Sequence, residues 1–432
     1  MFNEKRKHPG NIIDLSNFDF GKVERLKVPE FRHEKLFVKN EVSNQEEEKE
    51  EEILAKLDTK FGFHSGSYFY KDFLQVSSKP ISDDAFVDVA TNLKSLHLRF
   101  AVESEAKKNF QFKFNFRDLI NLKELCIERH VEENSDVETV LRNPKYLVCN
   151  DLPINLEKLS LIGFNVDLNS LSHLTNLKHL ELYKCEDLIL SASTPFHCFK
   201  HLTHLTVSFS YVSLNGSRLE KEKIQMGSEN LESLDLYVHF RENANPTLFF
   251  DKQQKLKSLN LTLNDLSEID VSSFKSLLNL EELHVRSEIS DNKTLKGLLD
   301  NFTKLKHLDF SGCVSELDND FLKNLINLEY LELSNGDLRT VHCKAFDSLK
   351  NLQYLSLQFN KLKSLQSDVF KNLSNLETLE LNDNCLNKLD SSLFKSLSKL
   401  KTLDFESNSL SQLDLNVFKH LNDLERLCLA SN

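Results

Sequence analysis

Three side chains in the first half of the chain are of the types that bind a catalytic metal ion. His179 and Glu181 are two residues apart in the segment HLELY, so in a strand their side chains face the same way. His204 occupies the matching place in the segment HLTVSF, and in a neighbouring strand it would lie about 5 Å from His179. Two imidazoles and a carboxylate with an open position could hold zinc, as in hydrolytic enzymes. The spacing permits such a site without being diagnostic of it, and the alternative is a pair of solvated histidines.

Acidic and aromatic side chains recur at matching places in the second half of the chain. Asp309, Glu332, Glu380 and Asp404 each lie four residues after a leucine that begins a segment of the form LxxLx(L/F). Tyrosines among charges are typical of the energetically dominant residues of protein interfaces. The sequence therefore predicts a docking site for a basic segment of a partner protein, and the alternative is a solvated face that keeps the protein soluble. The site comprises Asp309, Glu329, Tyr330, Glu332, Tyr354, Phe359, Glu377, Glu380 and Asp404. Tyr330 and Tyr354 are expected to pack edge to edge.

A regular spacing of leucines must position these residues. LQYLSLQFNKLKSL begins at Leu352 and LETLELNDNCLNKL at Leu376, which is 24 residues later (376 − 352 = 24). This spacing fits neither a helix face nor a simple strand. Self-similarity at a fixed period indicates a repeat architecture in which stacked units share one core. The first leucines of the repeats are Leu93, Leu122, Leu156, Leu177, Leu202, Leu231, Leu256, Leu280, Leu305, Leu328, Leu352, Leu376, Leu400 and Leu424.

The unit LxxLxLxxNxLxxL, followed by a phenylalanine and a leucine, resembles the leucine-rich repeat family in its typical 24-residue subclass. In this respect the chain is similar to the ectodomains of Toll-type receptors and of cell-surface adhesion proteins. The resemblance implies an α/β solenoid, a curved leucine-rich repeat horseshoe with a parallel sheet on the concave face. It implies a convex side that is mostly irregular, 3-10 or short helical. It also implies protein recognition on the concave face and no enzymatic activity.

Two further sets of residues have expected structural roles. The asparagine in the ninth position of a repeat should bond the backbone of the adjacent coil, because a buried amide needs partners. This ladder position is taken by Asn264, Asn360, Asn384 and Asn408, and by Cys185 and Cys313 in two repeats. A spine of phenylalanines is expected along the convex side. Its members are Phe116, Phe196, Phe250, Phe274, Phe346, Phe370, Phe394 and Phe418.

The composition excludes several classes of function. The chain has 432 residues, of which 40% are hydrophobic and 28% charged, and its net charge of −12 argues against a nucleic-acid partner. It contains only 10 glycines and no GxxxxGK[ST], GxGxxG or HExxH motif, so no cofactor is expected. No run of 18 apolar residues is present, so no membrane span is predicted.

The two ends of the chain differ from the repeats. Residues 1–92 are expected to form an N-terminal cap region of unclear fold, with an acidic run at 44–52. Residues 93–432 are expected to form a solenoid of about 14 repeats that ends without a C-terminal cap. The start of the chain lacks the apolar stretch of a signal peptide, and its eight cysteines are scattered rather than clustered in caps. The sequence as written therefore favours a cytoplasmic location, with the cell surface or the extracellular space as the alternative if the chain is truncated.

Three functional hypotheses remain open at this point. The first is a protein-recognition module or scaffold that binds a partner on its concave face. The second is a receptor or adhesion ectodomain fragment whose signalling part lies beyond Asn432. The third is a zinc-dependent enzyme built on His179, Glu181 and His204.

Overall fold

The chain divides into two compact units, Met1–Leu177 (unit 1) and Lys178–Asn432 (unit 2). The computed structural model describes residues 94–102, 112–113, 119–131, 146–148, 152–185, 187–190, 196–209, 211–214, 217–218, 223–238, 247–265, 269–289, 292–311, 314–410 and 413–432. The expected cap region, its acidic run, Phe116 and Cys313 lie outside these residues. The boundary between residues 92 and 93 and the number of repeats stay predictions.

Unit 1 contains short parallel strands that begin two residues after the first leucines of their repeats. Its described strands are β1 Ser95–Val102, β2 Phe112–Lys113, β3 Glu124–Val131, β4 Tyr146–Val148, β5 Lys158–Ile162 and β6 Asn165–Asp167, followed by the 3-10 helix Leu168–Leu171. β1 pairs with β3 and β3 with β5, while β2, β4 and β6 form a second parallel set. Leu125 and Leu159 face each other in the register and are fully buried, so the leucines of adjacent repeats share one core.

Unit 2 continues the same pattern with little helix. Its described strands are β7 His179–Tyr183, β8 Asp187–Leu190, β9 His204–Phe209, β10 Tyr211–Leu214, β11 Ser217–Arg218, β12 Lys223–Gln225, β13 Ser233–Val238, β14 Thr247–Phe249, β15 Ser258–Asp265, β16 Glu282–Ile289, β17 His307–Asp309, β18 Glu316–Leu317, β19 Tyr330–Glu332, β20 Thr340–Val341, β21 Tyr354–Ser356, β22 Thr378–Glu380, β23 Thr402–Asp404 and β24 Arg426–Cys428. Its described helices are α1 Asn292–Leu299 and the 3-10 helices Val271–Ser276 and Leu415–Phe418.

The main sheet of unit 2 is parallel throughout. Its strands pair in the order β7, β9, β13, β15, β16, β17, β19, β21, β22, β23, β24. The return paths add short ladders, with β8 pairing β10, β12 pairing β14 and β18 pairing β20, and one antiparallel hairpin of β10 and β11. The parallel-sheet solenoid predicted from the leucine spacing is therefore confirmed. None of the helices in the described residues is long and apolar enough to span a membrane.

The asparagine ladder forms in the last repeats as the sequence predicts. Asn384 accepts a hydrogen bond from the backbone N–H of Leu362 at 3.0 Å, and its amide donates to the carbonyls of Leu357, Leu381 and Asn382 at 2.8–3.2 Å. Asn360 and Asn408 make the equivalent four hydrogen bonds to the backbone. Burial raises the pKa of Cys185 to about 12, so this ladder position holds a neutral thiol. The side chain of Asn264 lies outside the described structure.

The phenylalanine spine is continuous only at its C-terminal end. Phe346, Phe370, Phe394 and Phe418 stack with centroids 6.1–6.4 Å apart, whereas Phe250 meets Phe274 edge to face. Between Phe196 and Phe250 the spine position is Gln225, which is buried and donates to the Oε1 atom of Gln253 at 2.9 Å. Polar side chains thus replace aromatic and aliphatic ones in this part of the core, a feature that the sequence analysis did not predict.

Candidate protein-binding surface

The main sheet of unit 2 presents one face to the core and leaves the other open, because side chains alternate along each strand. In β21, Leu355 is fully buried in the core, while Tyr354 and Ser356 lie on the opposite face of the sheet. The strands are in register, so equal positions of successive repeats form rows across this open face. The central row contains Asp309, Glu332, Ser356, Glu380 and Asp404. The shared position predicted for the four acids is therefore correct.

Asp309 is the one acid of the central row whose charge is already compensated. Arg286 donates to its Oδ2 atom at 3.3 Å, His284 Nδ1 lies 3.6 Å from the same atom, and Ser311 donates its backbone N–H to Oδ1 at 2.9 Å. Burial opposes ionisation, but His284, Ser311 and Arg286 outweigh it and hold the pKa of Asp309 at about 2. Asp309 is 5% exposed and Glu332 9%, so the pairing with Arg286, and not burial, makes the carboxylate of Asp309 serve the fold more than it serves a partner.

Tyr330 and Tyr354 pack face to face, not edge to edge as the sequence led us to expect. Their ring centroids are 4.3 Å apart and their planes differ by 1°. The two residues occupy the same position of adjacent parallel strands, so equal rotamers place the rings parallel at about the strand spacing of 4.8 Å. His307 extends the stack on the other side of Tyr330, with centroids 5.6 Å apart.

The hydroxyls of the two tyrosines turn towards carboxylates of the central row. Tyr330 donates to Glu332 Oε2 at 3.0 Å, and Tyr354 donates to Glu380 Oε2 at 2.6 Å while lying 3.4 Å from Glu332 Oε2. Burial and the charge of Glu332 raise the pKa of Tyr330 to about 12. Burial, the hydrogen bond to Glu380 and the charge of Glu332 raise the pKa of Tyr354 further. Both phenols are therefore neutral donors over the whole physiological pH range.

Glu332, Glu380 and Asp404 lack a basic partner in the described part of the chain. Glu332 and Glu380 accept hydrogen bonds from the tyrosines, and Asp404 accepts one from the backbone N–H of Glu406 at 2.9 Å. A neutral donor leaves the negative charge in place, and strands about 4.8 Å apart concentrate it. Arg426 lies on the next strand, and its pKa is raised chiefly by Cys428, to which its Nε donates, with smaller contributions from the charges of Asp404 and Glu380.

The second position of the repeats forms a separate row, here called the charged row, in which signs alternate from Glu232 to Glu329 and again from Glu377 to Glu425. Lys257 pairs with Glu232 at 2.8 Å, Lys306 with Glu281 at 2.7 Å and Lys401 with Glu377 at 2.7 Å. Glu329 lies on the other side of Lys306 and adds to the rise of its pKa. Glu377 and Glu329, both predicted site residues, therefore belong to a row that is largely neutral, and the uncompensated acidic surface is narrower than the sequence suggested.

Phe359 lies at the eighth position of its repeat with an unusual backbone. Its φ is +52°, in the left-handed region that bulky side chains rarely adopt, and its side chain is 47% exposed. Asn335, Asp383 and Ser407 take the same position and conformation in neighbouring repeats, and they are polar residues that tolerate it better. Phe359 thus combines backbone strain with an exposed aromatic ring at the edge of the acidic surface.

Ser356 is a member of the central row that the sequence did not single out. It lies between Glu332 and Glu380, is 0% exposed, and its hydroxyl has no hydrogen-bond partner within the described structure. A buried hydroxyl without a partner costs about 1–3 kcal/mol, so such groups are uncommon in folded proteins. Serine is shorter than the two glutamates beside it in the row, and the hydroxyl of Tyr354, 2.6 Å from Glu380 Oε2 and 3.4 Å from Glu332 Oε2, fills the place between their carboxylates.

His179 and His204, two of the predicted metal ligands, contact each other, but their geometry does not suit a shared metal ion. The rings of His179 and His204 stack with centroids 4.2 Å apart and planes 20° apart. A bound ion lies in the plane of each imidazole that holds it, and two stacked, nearly parallel rings cannot share one. Within the part of the chain that the structure describes, no group of three or more His, Cys, Asp or Glu side chains could hold a metal ion.

Two of the features that sequence reasoning missed left a signal in the sequence. The alternation of Glu232, Lys257, Glu281, Lys306 and Glu329 at one repeat position is visible in the printed chain and predicts pairing between adjacent strands. Phe359 is also visible there, at a position filled by Asn335, Asp383 and Ser407 in the neighbouring repeats. The neutralisation of Asp309 by Arg286 from the neighbouring strand had no such signal, because it depends on the rotamers of both residues.

Comparison with known proteins supports the fold. The family described as the BspA type leucine rich repeat region, which comprises six copies of the repeat, matches residues 227–352 and 315–432 of this chain. Over 308 residues the chain is 34% identical to transforming growth factor beta activator LRRC33 of Danio rerio. That match covers 61% of this chain and 44% of the relative, so the chain spans less than half the length of the relative.

Two solved structures share the architecture at low sequence identity. A leucine-rich repeat protein of Leptospira interrogans matches with a TM-score of 0.53 and 20% identity over 81% of each chain. A chain of the Toll–Spatzle complex of Drosophila matches with a TM-score of 0.51 and 17% identity, over 77% of this chain and 45% of that one. At these identities the likeness shows the solenoid fold.

Proposed function

This chain is a leucine-rich repeat protein, and from that premise we propose that it binds a partner protein on the open face of unit 2, without catalysis of its own. Leucine-rich repeats are typically protein-binding modules, and their exposed strand residues are not needed for the core. The partner segment is basic. The single observation that carries the proposal is the uncompensated acidic surface of Glu332, Glu380 and Asp404 beside two stacked tyrosines.

The chemistry of this surface favours a basic protein segment. Lysine and arginine side chains match carboxylates that keep their charge, and the tyrosine rings and Phe359 provide apolar area for the aliphatic parts of the partner. Electrostatic attraction of this kind speeds association and fixes the register of the partner. The net charge of −12 also disfavours a nucleic-acid partner.

The test is binding of a fluorescent octalysine peptide, followed by anisotropy in low and high salt. The set E332K, E380K and D404K should abolish binding, and the milder set E332Q, E380Q and D404N should weaken it at least tenfold. The matched control reverses three exposed acids away from the sheet face, Asp251, Asp300 and Asp368, and changes net charge equally. Equal loss in both sets would mean that net charge alone attracts the peptide, and would overturn the proposal.

A second candidate function is the ligand-binding part of a receptor or adhesion ectodomain that continues beyond Asn432. It is favoured by the likeness to a protein named as an activator of transforming growth factor beta and to a chain of the Toll–Spatzle complex. Sequencing the complete transcript at both ends distinguishes the two. A leader before Met1 and a membrane span after Asn432 would support the ectodomain, whereas a short polar cap and a stop codon would support a self-contained scaffold.

A further inference from the structure

We infer that the place beside Ser356, between Glu332 and Glu380, which the Tyr354 hydroxyl fills in the free protein, becomes a binding pocket for a primary ammonium group when that hydroxyl moves aside, so that the partner inserts a lysine there. This inference rests on the proposed function and specifies which basic residue the open face recognises. It begins from the buried hydroxyl of Ser356, which is 0% exposed and has no hydrogen-bond partner in the described structure. A polar atom kept dry and unpaired in the free protein is satisfied at no further desolvation cost when a ligand supplies a donor.

The two glutamates already converge on one point above this serine. A single hydroxyl, that of Tyr354, lies 2.6 Å from Glu380 Oε2 and 3.4 Å from Glu332 Oε2, although the two residues are two strands apart. That hydroxyl carries one proton and donates it to Glu380. The pair of carboxylates therefore has more acceptor capacity and more negative charge than the protein itself satisfies at this point.

The three acceptors suit an ammonium better than a guanidinium. A lysine ammonium has three N–H donors on a compact centre, which match one oxygen each from Glu332, Glu380 and Ser356. An arginine presents a planar fork that pairs side by side with one carboxylate, and its width exceeds the place of the single Tyr354 hydroxyl between the two carboxylates. Arginine would bind the rim, through Glu380 or Asp404, without reaching Ser356.

Tyr354 controls access to the pocket in this geometry. Its hydroxyl occupies the place between the carboxylates that the ammonium would take, so binding requires this hydroxyl to move aside. Tyr354→Phe removes the occupant while keeping the ring and its stack on Tyr330. The variant should therefore bind a lysine peptide several-fold more tightly, which a purely structural role of Tyr354 would not produce.

The experiment compares three labelled peptides with the full chain: octalysine, octaarginine, and octalysine trimethylated on every side chain. Trimethylation keeps the charge and removes every N–H donor. Octalysine should bind at least tenfold more tightly than the trimethylated peptide, because trimethylation removes all the N–H donors to Glu332, Glu380 and Ser356, and one hydrogen bond to a charged group alone contributes about a factor of ten. Ser356→Ala should weaken octalysine by a similar factor and leave octaarginine unchanged.

A matched control separates the pocket from general effects on the sheet. Ser334 is also a buried serine of the open face, in the neighbouring repeat, but it has partners in Ser311 and Asn335 at 3.2 and 3.1 Å. Ser334→Ala should not change the affinity for octalysine. Ser356→Ala should also leave the urea midpoint of the free protein unchanged or higher, because it removes an unpaired hydroxyl; a lower midpoint would show that the hydroxyl has a partner in the free protein and would overturn the inference.

The outcomes also distinguish the inference from the function on which it rests. If none of the three peptides binds, or if E332Q, E380Q and D404N leave binding intact, the proposed function fails and the pocket fails with it. If the peptides bind through these acids but octalysine and its trimethylated form bind equally, and Ser356→Ala has no effect, only the ammonium pocket is refuted.

Discussion

The rings of Tyr330 and Tyr354 lie parallel, 4.3 Å apart, and their hydroxyls reach carboxylates of the central row on either side. The stack follows from two equal residues in equal positions of adjacent strands, and it places a neutral donor against each glutamate. Glu332 and Glu380 thus keep their charge while being held in a defined geometry. Such preorganised acids recognise a basic segment at a lower entropic cost than mobile ones.

The raised pKa values of the two tyrosines predict an alkaline effect. The pKa of Tyr330 is about 12 and that of Tyr354 is raised, against about 10 in an unfolded chain. Their contribution to stability is fully present below about pH 10 and is lost as pH rises towards 12, because the unfolded chain releases these protons first. The urea midpoint should fall over that interval by less in the variant Y330F/Y354F than in the wild type. Ultraviolet titration should show no difference between the two proteins below pH 11, and an earlier difference would contradict the assignment.

The depressed pKa of Asp309 predicts an acid effect of opposite sign. A carboxylate with a pKa of about 2 in the folded state stabilises the protein above its unfolded value of about 3.9. That contribution, about 2 kcal/mol, is lost as pH falls from about 4 to 2. Asp309→Asn should therefore lower the urea midpoint at pH 7 and bring the midpoints at pH 7 and pH 2.5 closer together. Arg286→Gln, which removes one partner of Asp309, should change the urea midpoint in the same direction by a smaller amount. Equal midpoints of the wild type and Asp309→Asn at both pH values would refute this account.

The asparagine ladder predicts a large effect from one buried amide. Asn384→Ala removes four hydrogen bonds to the backbone. It leaves the backbone N–H of Leu362 without its acceptor, while the carbonyls of Leu357, Leu381 and Asn382 each keep one other donor. The free energy of unfolding should fall by about 2–4 kcal/mol in urea denaturation. The neighbouring Asn382 bonds only the side chains of Gln358 and Asp383, so Asn382→Ala should cost about 0.5 kcal/mol or less. Similar losses in both variants would mean that the ladder bonds contribute little.

The left-handed backbone of Phe359 predicts that stability and binding change in opposite directions. Phe359→Asn should raise the free energy of unfolding by about 1 kcal/mol, because asparagine tolerates a positive φ and the exposed ring loses no core contact. The same variant should bind a Lys-Phe repeat peptide more weakly than the wild type does, while octalysine is less affected. The reciprocal variant Asp383→Phe introduces the strain one repeat later and should be destabilised. A loss of stability in Phe359→Asn would show that the ring packs against the fold and is not an exposed anchor.

Much of the fold could be read from the leucine spacing alone. A period of 24 residues with inward leucines and a buried asparagine admits few other structures, because each unit must stack on its neighbours to bury its apolar side. The main-sheet strands begin where the repeats predict, as β21 does two residues after Leu352. The interruption of the spine at Gln225 and Gln253 was not predicted, because a buried polar pair is tolerated only when both amides meet in the tertiary structure.

The sequence by itself determined which residues share the open face, since period and alternation assign Glu332, Ser356 and Glu380 to one row before any coordinates exist. Only the tertiary structure decided which of those residues keep an unbalanced charge. Arg286, on the adjacent strand, pairs with Asp309, and Lys401 of the charged row pairs with Glu377. The acceptors of Glu332 and Glu380 receive neutral tyrosine hydroxyls, which add no positive charge. The physical reason is that a repeat fixes the position of a backbone within about a strand spacing, whereas an ion pair or an unpaired hydroxyl depends on side-chain rotamers over a few tenths of an ångström.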